Sequence, residues 1–302
     1  WWWERSNAVQ PLPSSPAMTE ANVKVGVRWR PLMRGELAAD RSGADGGLQT
    51  NEKGFAAVFD GAASNRDVYA GLVEPVVSRW VDDGFNGTVL AYGQTGSGKT
   101  HTLFGHADTA HLGVVRHMVA DVFERLHAAG QPFAMRASFF EVYRERVRDL
   151  LWDVGGREVL SIREDESGFF VDGAVCEPVA SADDVLELLA RGNANKTMGH
   201  SHVHDMSSRS HTVFHCVLAR RTPAGAFQVS ELNLVDLAGA EALSGDFGSE
   251  QQEETKAINL SLLALRAVIQ ALANRDKFVP YRESVLTKLL ANSFGGNSLT
   301  TL

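Results

Sequence analysis

Gly93-Gln94-Thr95-Gly96-Ser97-Gly98-Lys99-Thr100 fits the pattern G-x-x-x-x-G-K-[ST], which is arranged for phosphate chemistry. Glycines let backbone N–H groups curl round phosphate oxygens, and a following helix N-terminus adds positive potential. Lys99 supplies a charge for the outer phosphates, and Thr100 offers a hydroxyl to a magnesium ion. A phosphate site of this kind also needs a carboxylate at the end of a neighbouring strand, to hold the metal's water shell. Asp236-Leu237-Ala238-Gly239 provides one, and Gly239 is placed to offer its N–H to a terminal phosphate. Ser207-Ser208-Arg209-Ser210-His211 is a third candidate: a serine hydroxyl can complete a magnesium shell, and Arg209 can pair with Glu241.

Each motif needs a scaffold, and the apolar periodicities outline one. Residues 23–29 alternate like a strand, ended by Pro31, and residues 88–92 form a short buried-type strand directly before the glycine loop. Further strands are expected at 133–142, 212–219 and 229–236, the last almost continuously apolar and so covered on both faces. Helical spacing covers 68–81, stopped near Gly84 and Gly87, then 114–126, 253–273 and 283–291, with Gly295-Gly296 as a stop. Ser181 with Asp184 reads as a capping box opening a helix that Gly192 closes. This alternation predicts an α/β fold with a central mixed, mostly parallel sheet and helices on both faces.

Composition narrows the class. The chain has 302 residues, 44% hydrophobic and 22% charged, with a net charge of −8, which is globular and long enough for a large core. The acidic balance argues against nucleic acid or an acidic membrane as partner. The absence of any apolar run of membrane-spanning length or of a signal-peptide pattern points to a cytoplasmic protein. Two cysteines, Cys176 and Cys216, lack metal-site spacing and fit a reducing compartment. Residues 1–17, with Pro11, Pro13 and Pro16, read as a flexible N-terminal extension before a domain spanning 18–302.

Together with Val25-Gly26-Val27-Arg28-Trp29-Arg30-Pro31, these three motifs resemble the four nucleotide-site signatures of the kinesin motor domain, in the family's order. Glu141-Val142-Tyr143, Val147 to Leu151, Ile258-Asn259 with Ser261-Leu262, and Val279 to Ser284 resemble further kinesin segments. The resemblance implies the P-loop NTPase fold of that family, ATP or ADP with Mg²⁺ as ligands, ATP hydrolysis, and microtubules as partner in the cytoskeleton. Carried over, Arg28, Arg30 and Pro31 flank the adenine with His101 near the base or ribose. Gly93, Gln94, Thr95, Gly96, Ser97, Gly98, Lys99 and Thr100 hold the phosphates. Thr100 and Ser208 hold Mg²⁺ with Asp236 acting through water, and Gly239 senses the γ-phosphate. Ser207 and Glu241 orient the attacking water and relay its proton, while Glu241 with Arg209 closes the site.

The sequence departs from the family in three places. His204 stands where kinesins usually carry asparagine, and with His200 and His202 it forms an alternating trio that could in principle hold a metal; an exposed polar loop is the expectation. From Glu241 to Lys256 the chain carries Glu241, Asp246, Glu250, Glu253 and Glu254 against Lys256 alone, and Leu260 and Val285 occupy positions where lysine is usual. The expectation is weakened, salt-sensitive microtubule binding, the alternative reading being a non-motile nucleotide-binding scaffold on the same fold. Finally, Gly295-Gly296-Asn297 to Thr300 leads, in the family, into a closing strand, a last helix and a neck linker. These are expected to lie beyond Leu302, as is any stalk for oligomerisation.

Overall fold

The computed structural model describes residues 23–30, 54–105, 113–152, 159–165, 168–199, 209–221, 225–240, 249–294 and 297–302, with the backbone alone for 198–199, 249–259 and 293. In chain order the elements are β1 (Val23–Lys24), β2 (Gly26–Arg28), β3 (Ala57–Phe59), α1 (residues 65–83), β4 (Asn86–Ala91), α2 (Lys99–Leu103), α3 (Val114–Ala129), β5 (Phe133–Tyr143), β6 (Arg146–Asp149), β7 (Ser161–Asp165), β8 (Gly168–Asp172), β9 (Glu177–Val179), α4 (Ala182–Gly199), β10 (His211–Arg221), β11 (Phe227–Asp236), α5 (Ser249–Asn274), α6 (Val285–Leu289) and β12 (Ser298–Thr301).

Eight strands form the central sheet in the order β1-β12-β4-β11-β10-β5-β6, with β9 also beside β5. The pairings β1/β12, β12/β4 and β4/β11 are parallel; β11/β10, β10/β5, β5/β6 and β5/β9 are antiparallel. Alternate residues of the same strands feed two cores. Phe139, Phe214 and Leu234 pack with Val77, Trp80, Val119 and Val185 of α1, α3 and α4, and Phe140, Val213 and Val235 pack with Leu265 and Val268 of α5, Leu286 of α6 and Leu290 just after it. A side chain of this size contributes ~1.5–3 kcal/mol when fully buried. The mixed sheet covered on both faces is the architecture expected. Among the described residues no helix is long and apolar enough to cross a membrane.

Several elements differ from the periodicity reading. Residues 23–29 are not one strand: Val23 and Lys24 pair with Thr300 and Thr301 of the central sheet, while Gly26 to Arg28 pair with β3 in a separate ribbon. The chain changes sheet at Val25, whose carbonyl accepts from the Ala56 N–H at 2.7 Å. Gly26 permits the change, because a Cβ there would lie 2.2 Å from Leu72 Cδ1. The helix read at 68–81 extends to 65–83, with π-helical turns at Tyr69–Val73 and Arg79–Asp83, opened by the Ser64–Asp67 capping box and closed by Gly84 in the left-handed conformation. Gly87 belongs to β4. The span 283–291 is not one helix: a 3₁₀ turn at Tyr281–Glu283 and a second at Ala291–Ser293 flank the short α6, whose start is fixed by a capping box between Ser284 and Thr287. Ser298–Thr301 forms an interior strand between β1 and β4, where the sequence reading expected a closing strand only beyond Leu302. Gly295 and Gly296 lie outside the described residues.

The capping box at Ser181 is formed, Asp184 N–H donating to Ser181 Oγ at 3.2 Å and Ser181 N–H to Asp184 Oδ2 at 3.0 Å. Gly192 does not close that helix; α4 runs on to Gly199. Its glycine answers to packing: a Cβ at Gly192 would lie 2.3 Å from Phe139 Cδ1, and the Phe139 ring is fully buried and held edge-on against Phe214 at 5.9 Å. The ring has nowhere to retreat. Gly192→Val is therefore expected to lower stability by ~1–3 kcal/mol in urea denaturation, despite the better intrinsic helix propensity of the larger residue; unchanged or raised stability would contradict this packing account.

Candidate nucleotide site

β4 and β11 are parallel neighbours with Ala91 opposite Asp236, so the segments that follow them leave the sheet side by side at the carboxyl ends of parallel strands, where open α/β sheets bind ligands. The two are stitched together: Leu237 N–H donates to Ala91 O at 3.2 Å, and Ala240 N–H to Gly93 O at 3.1 Å.

The loop Gly93–Gly98 depends on backbone conformations that side chains avoid. Gly96 and Gly98 have φ of 77° and 95°, and Gly98 immediately precedes α2, at whose first residue Lys99 stands. Lys99 Nζ donates to Gly93 O at 2.8 Å and Gln94 O at 2.9 Å, which keeps the ammonium folded over the loop it would serve. Thr100 Oγ1 donates to Asp236 Oδ2 at 2.5 Å. Burial is the main cause pushing the Asp236 carboxyl above the usual carboxylate range; the Thr100 hydrogen bond and the charges of Lys196 and Lys99 oppose it. Its other oxygen, Oδ1, is buried with no hydrogen-bond partner among the described residues. Gly239 follows on the same loop, and among the described residues no acceptor engages its N–H, although the amides of Leu237, Ala238 and Ala240 are all bonded.

An orphaned carboxylate oxygen beside a hydroxyl fits a hydrated divalent cation, and an unengaged glycine N–H fits a phosphate oxygen. No group of three or more His, Cys, Asp or Glu among the described residues is placed to hold a metal by itself. A cation here would depend on Thr100, on Asp236 through water and on the phosphates.

The flank of the loop is built from Arg28 of β2. Its guanidinium donates to Asn65 Oδ1, to Thr102 Oγ1 at 2.7 Å and to Ala63 O at 3.1 Å, while Asn65 Nδ2 donates to His101 O at 3.1 Å. Arg28 and His101, named from the sequence as base-flanking residues, are thus brought to one wall, with Asn65 as a link that sequence reasoning missed. Arg30 lies half-buried at the end of the same ribbon. Arg209 is half-buried, and its expected partner Glu241 lies outside the described residues, as do Pro31, Ser207, Ser208, His200, His202 and His204.

Two further residues stand at this site: Lys196, to which the sequence reading gave no role, and His211, which it quoted as the end of the Ser207–His211 motif without assigning its contacts. Lys196, in α4, donates to Thr212 Oγ1 at 2.5 Å. His211, the first residue of β10, accepts from Ala238 N–H through Nδ1 at 3.0 Å and meets Ser261 Oγ through Nε2 at 2.8 Å. Because Nδ1 accepts, the ring proton sits on Nε2 and is donated to Ser261. The signal was available in the sequence as a histidine leading an apolar strand, but its partners lie far along the chain.

A glycine-rich phosphate loop after one parallel strand and a D-x-x-G turn after its neighbour define a P-loop nucleotide-binding protein. The kinesin motor domain model matches residues 14–302. The chain is 38% identical to the kinesin-like protein KIN-7L of Oryza sativa subsp. japonica, over 93% of this chain and 48% of the relative. It is 36% identical to the human kinesin-1 heavy chain, over 94% of this chain and 30% of the relative. A solved structure of a fast kinesin superposes with a TM-score of 0.81 at 34% identity, covering 93% of this chain and 84% of that one. The chain belongs to the kinesin motor-domain family. It spans less than half the length of these curated relatives.

The His211 environment yields a pH prediction. Burial, with smaller contributions from Lys196 and Lys99, pushes its pKa down to about 3 from 6.5. The folded imidazole stays neutral while the unfolded one takes a proton below 6.5, so this contribution to stability is complete above that pH and is lost as pH falls towards 3. Between pH 7.5 and 5.5 the wild type should lose about 1.4 kcal/mol more than His211→Asn in urea denaturation. Equal losses would show that the ring protonates freely in the fold.

Proposed function

We propose that this chain hydrolyses ATP with Mg²⁺ and couples that reaction to microtubule binding, as the motor unit of a longer cytoskeletal protein. The observation that carries the reading is the convergence of Thr100, the buried Asp236, whose Oδ1 has no partner among the described residues, and the Gly239 amide on the mouth of the Gly93–Thr100 loop. Family membership supports it, and so does the fast kinesin of similar structure, which is described in terms of an ATPase mechanism and interactions with microtubules.

In this reading Lys99 leaves the carbonyls of Gly93 and Gln94 for the β- and γ-phosphate oxygens, and Gly239 donates its N–H to the γ-phosphate. Thr100 and Ser208 ligate Mg²⁺, with Asp236 acting through water. When bound, the ion would supply charge neutralisation on the phosphate oxygens. Arg28, Arg30, Pro31 and His101 seat the adenine. Ser207 and Glu241 orient the attacking water and pass on its proton, and an Arg209–Glu241 pair closes the site. The contribution of these groups is positioning and preorganised charge rather than covalent chemistry.

The microtubule would meet α5 and the segment after it, where Leu260, Leu263 and Phe278 are exposed. The acidic residues between 241 and 254 weaken that contact, and salt weakens it further by screening the remaining basic groups. The test is steady-state ATP turnover with and without stabilised microtubules at low and moderate salt. The wild type is expected to turn over ATP, to be stimulated several-fold by microtubules at low salt, and to lose most of that stimulation as salt rises. Lys99→Ala should lower turnover by ~100-fold or more. Absence of turnover with nucleotide still bound would overturn the ATPase reading in favour of a nucleotide-binding scaffold, and salt-resistant stimulation would overturn the weakened contact.

A further inference from the structure

We propose that Lys196 and Thr212 form a positioning pair that holds the Asp236 carboxylate from the neighbouring strand and so sets how well the site takes Mg²⁺. The inference rests on the ATP and Mg²⁺ reading above and adds to it two residues that act through Asp236.

Three observations converge on this pair. First, the register of β10 and β11 sets Thr212 directly opposite Asp236. Side chains so paired leave the same face of the sheet, with Cβ atoms about 4.5–5.5 Å apart, and both residues are buried. The Thr212 hydroxyl therefore stands beside the carboxylate. Second, Thr212 Oγ1 accepts from Lys196 Nζ at 2.5 Å, and its own hydrogen meets no acceptor among the described residues. Across from it, Asp236 Oδ1 is buried with no hydrogen-bond partner among the described residues. Third, Lys196 is held where it is. It stands in the last turn of α4, a helix that buries Val185, Leu188 and Leu189 in the first core, and the adjacent Asn195 Nδ2 donates to Leu150 O at 2.8 Å. The ammonium also reaches the carboxylate electrostatically, opposing with Lys99 the upward effect of burial.

The chemistry explains what the pair does. A hydroxyl carries one hydrogen and two lone pairs. With a lone pair engaged by a charged donor, the Thr212 hydrogen is left to be given away, and the open oxygen of Asp236 is the acceptor that the register presents, directly or through one water. The need for this hold arises from Thr100. In the structure Thr100 gives its hydrogen to Asp236 Oδ2 at 2.5 Å, whereas in the ATP reading its oxygen turns to the metal. Asp236 then loses its side-chain donor from the phosphate-loop helix, in a place where burial disfavours its charge. Thr212, oriented by Lys196, keeps the carboxylate in place with Oδ2 free to face the water of the ion.

The bare charge of Lys196 acts in the opposite direction. A cation beside a metal site repels the ion, so if charge were its whole effect, removing it would strengthen Mg²⁺ binding. As a positioning residue its removal weakens Mg²⁺ binding. The sign of the change separates the two.

The experiment titrates this chain with a fluorescent ADP at a series of free Mg²⁺ concentrations and in EDTA. Affinity in EDTA reports the phosphate loop alone, and the tightening with Mg²⁺ reports the ion. The wild type is expected to bind ADP more tightly as Mg²⁺ rises. Thr212→Val, which keeps the shape and removes the hydroxyl, should raise the Mg²⁺ concentration at half of that tightening by about ten-fold, with ADP affinity in EDTA within about two-fold of wild type. Thr212→Ser, which keeps the hydroxyl, should bring the midpoint back. Lys196→Met should also raise the midpoint, and the double variant should raise it no further than the larger single change. If Lys196→Met fails to fold, the threonine variants decide. An unchanged midpoint in Thr212→Val overturns the inference, and so does a lowered midpoint in Lys196→Met, the mark of a bare charge. A loss of affinity in EDTA as large as the midpoint shift overturns it as well, because the damage is then general. A wild type that binds ADP with no response to Mg²⁺ overturns the Mg²⁺ reading, one that binds no nucleotide overturns the ATP reading, and this inference falls with either.

Discussion

The parallel register of β4 and β11, with Ala91 opposite Asp236, is the constraint on which the site depends. It brings two short sequences that are distant along the chain to adjacent points on one edge of the sheet, and it does so with backbone hydrogen bonds that do not depend on the side chains performing the chemistry. Burial of β11 on both faces makes the register unforgiving. Asn233 is tolerated inside it because its Oδ1 meets His215 Nδ1 at 2.9 Å across the neighbouring strand, whereas a slip of one residue would turn Leu232, Leu234 and Val235 into the wrong cores. Asp236 stands at the first position where the strand ends and a carboxylate can face an opening. Burial there raises the energy of its charged form, and a hydroxyl from the phosphate-loop helix offsets part of that cost.

What the sequence made legible follows from how local each cause is. The phosphate loop could be read because glycine, lysine and threonine act there within eight residues of one another. The cores could be read because alternation along β5, β10 and β11 reports both faces at once. Residues 23–29 were misread as one strand because the switch between sheets at Val25 is decided by β12 and β3, neither of which is local. Gly192 was misread as a helix end because a glycine chosen for a close approach to Phe139 looks, in one dimension, like a glycine chosen for its backbone. Asn65 and Lys196 went without a role for the same reason: their types are ordinary, and only their distant partners make them part of the site. His211 was legible as the end of the Ser207–His211 motif, but its partners Ala238 and Ser261 were not.

The two positions that the sequence grouped as lost lysines prove to be different in kind. Leu260 is exposed on α5, so a lysine there would change a surface and not the core. Val285 packs against the second core, and its N–H donates to Glu145 Oε2 at 2.6 Å. Glu145 and Arg144 form the tip of the β5–β6 hairpin with φ of 57° and 49°, the left-handed geometry that two-residue hairpins need and that asparagine and glycine usually provide. Two residues with long side chains in that geometry cost about 1–3 kcal/mol each, and the Val285 hydrogen bond helps hold one of them by docking α6 onto the tip. Burial raises the Glu145 pKa while this bond and Lys288 oppose the rise. A lysine at 285 would keep the backbone donor but would lose the branched side chain from the core. The valine therefore answers to the joint between hairpin and helix, and the case for an altered partner surface rests on Leu260 and the acidic residues before it.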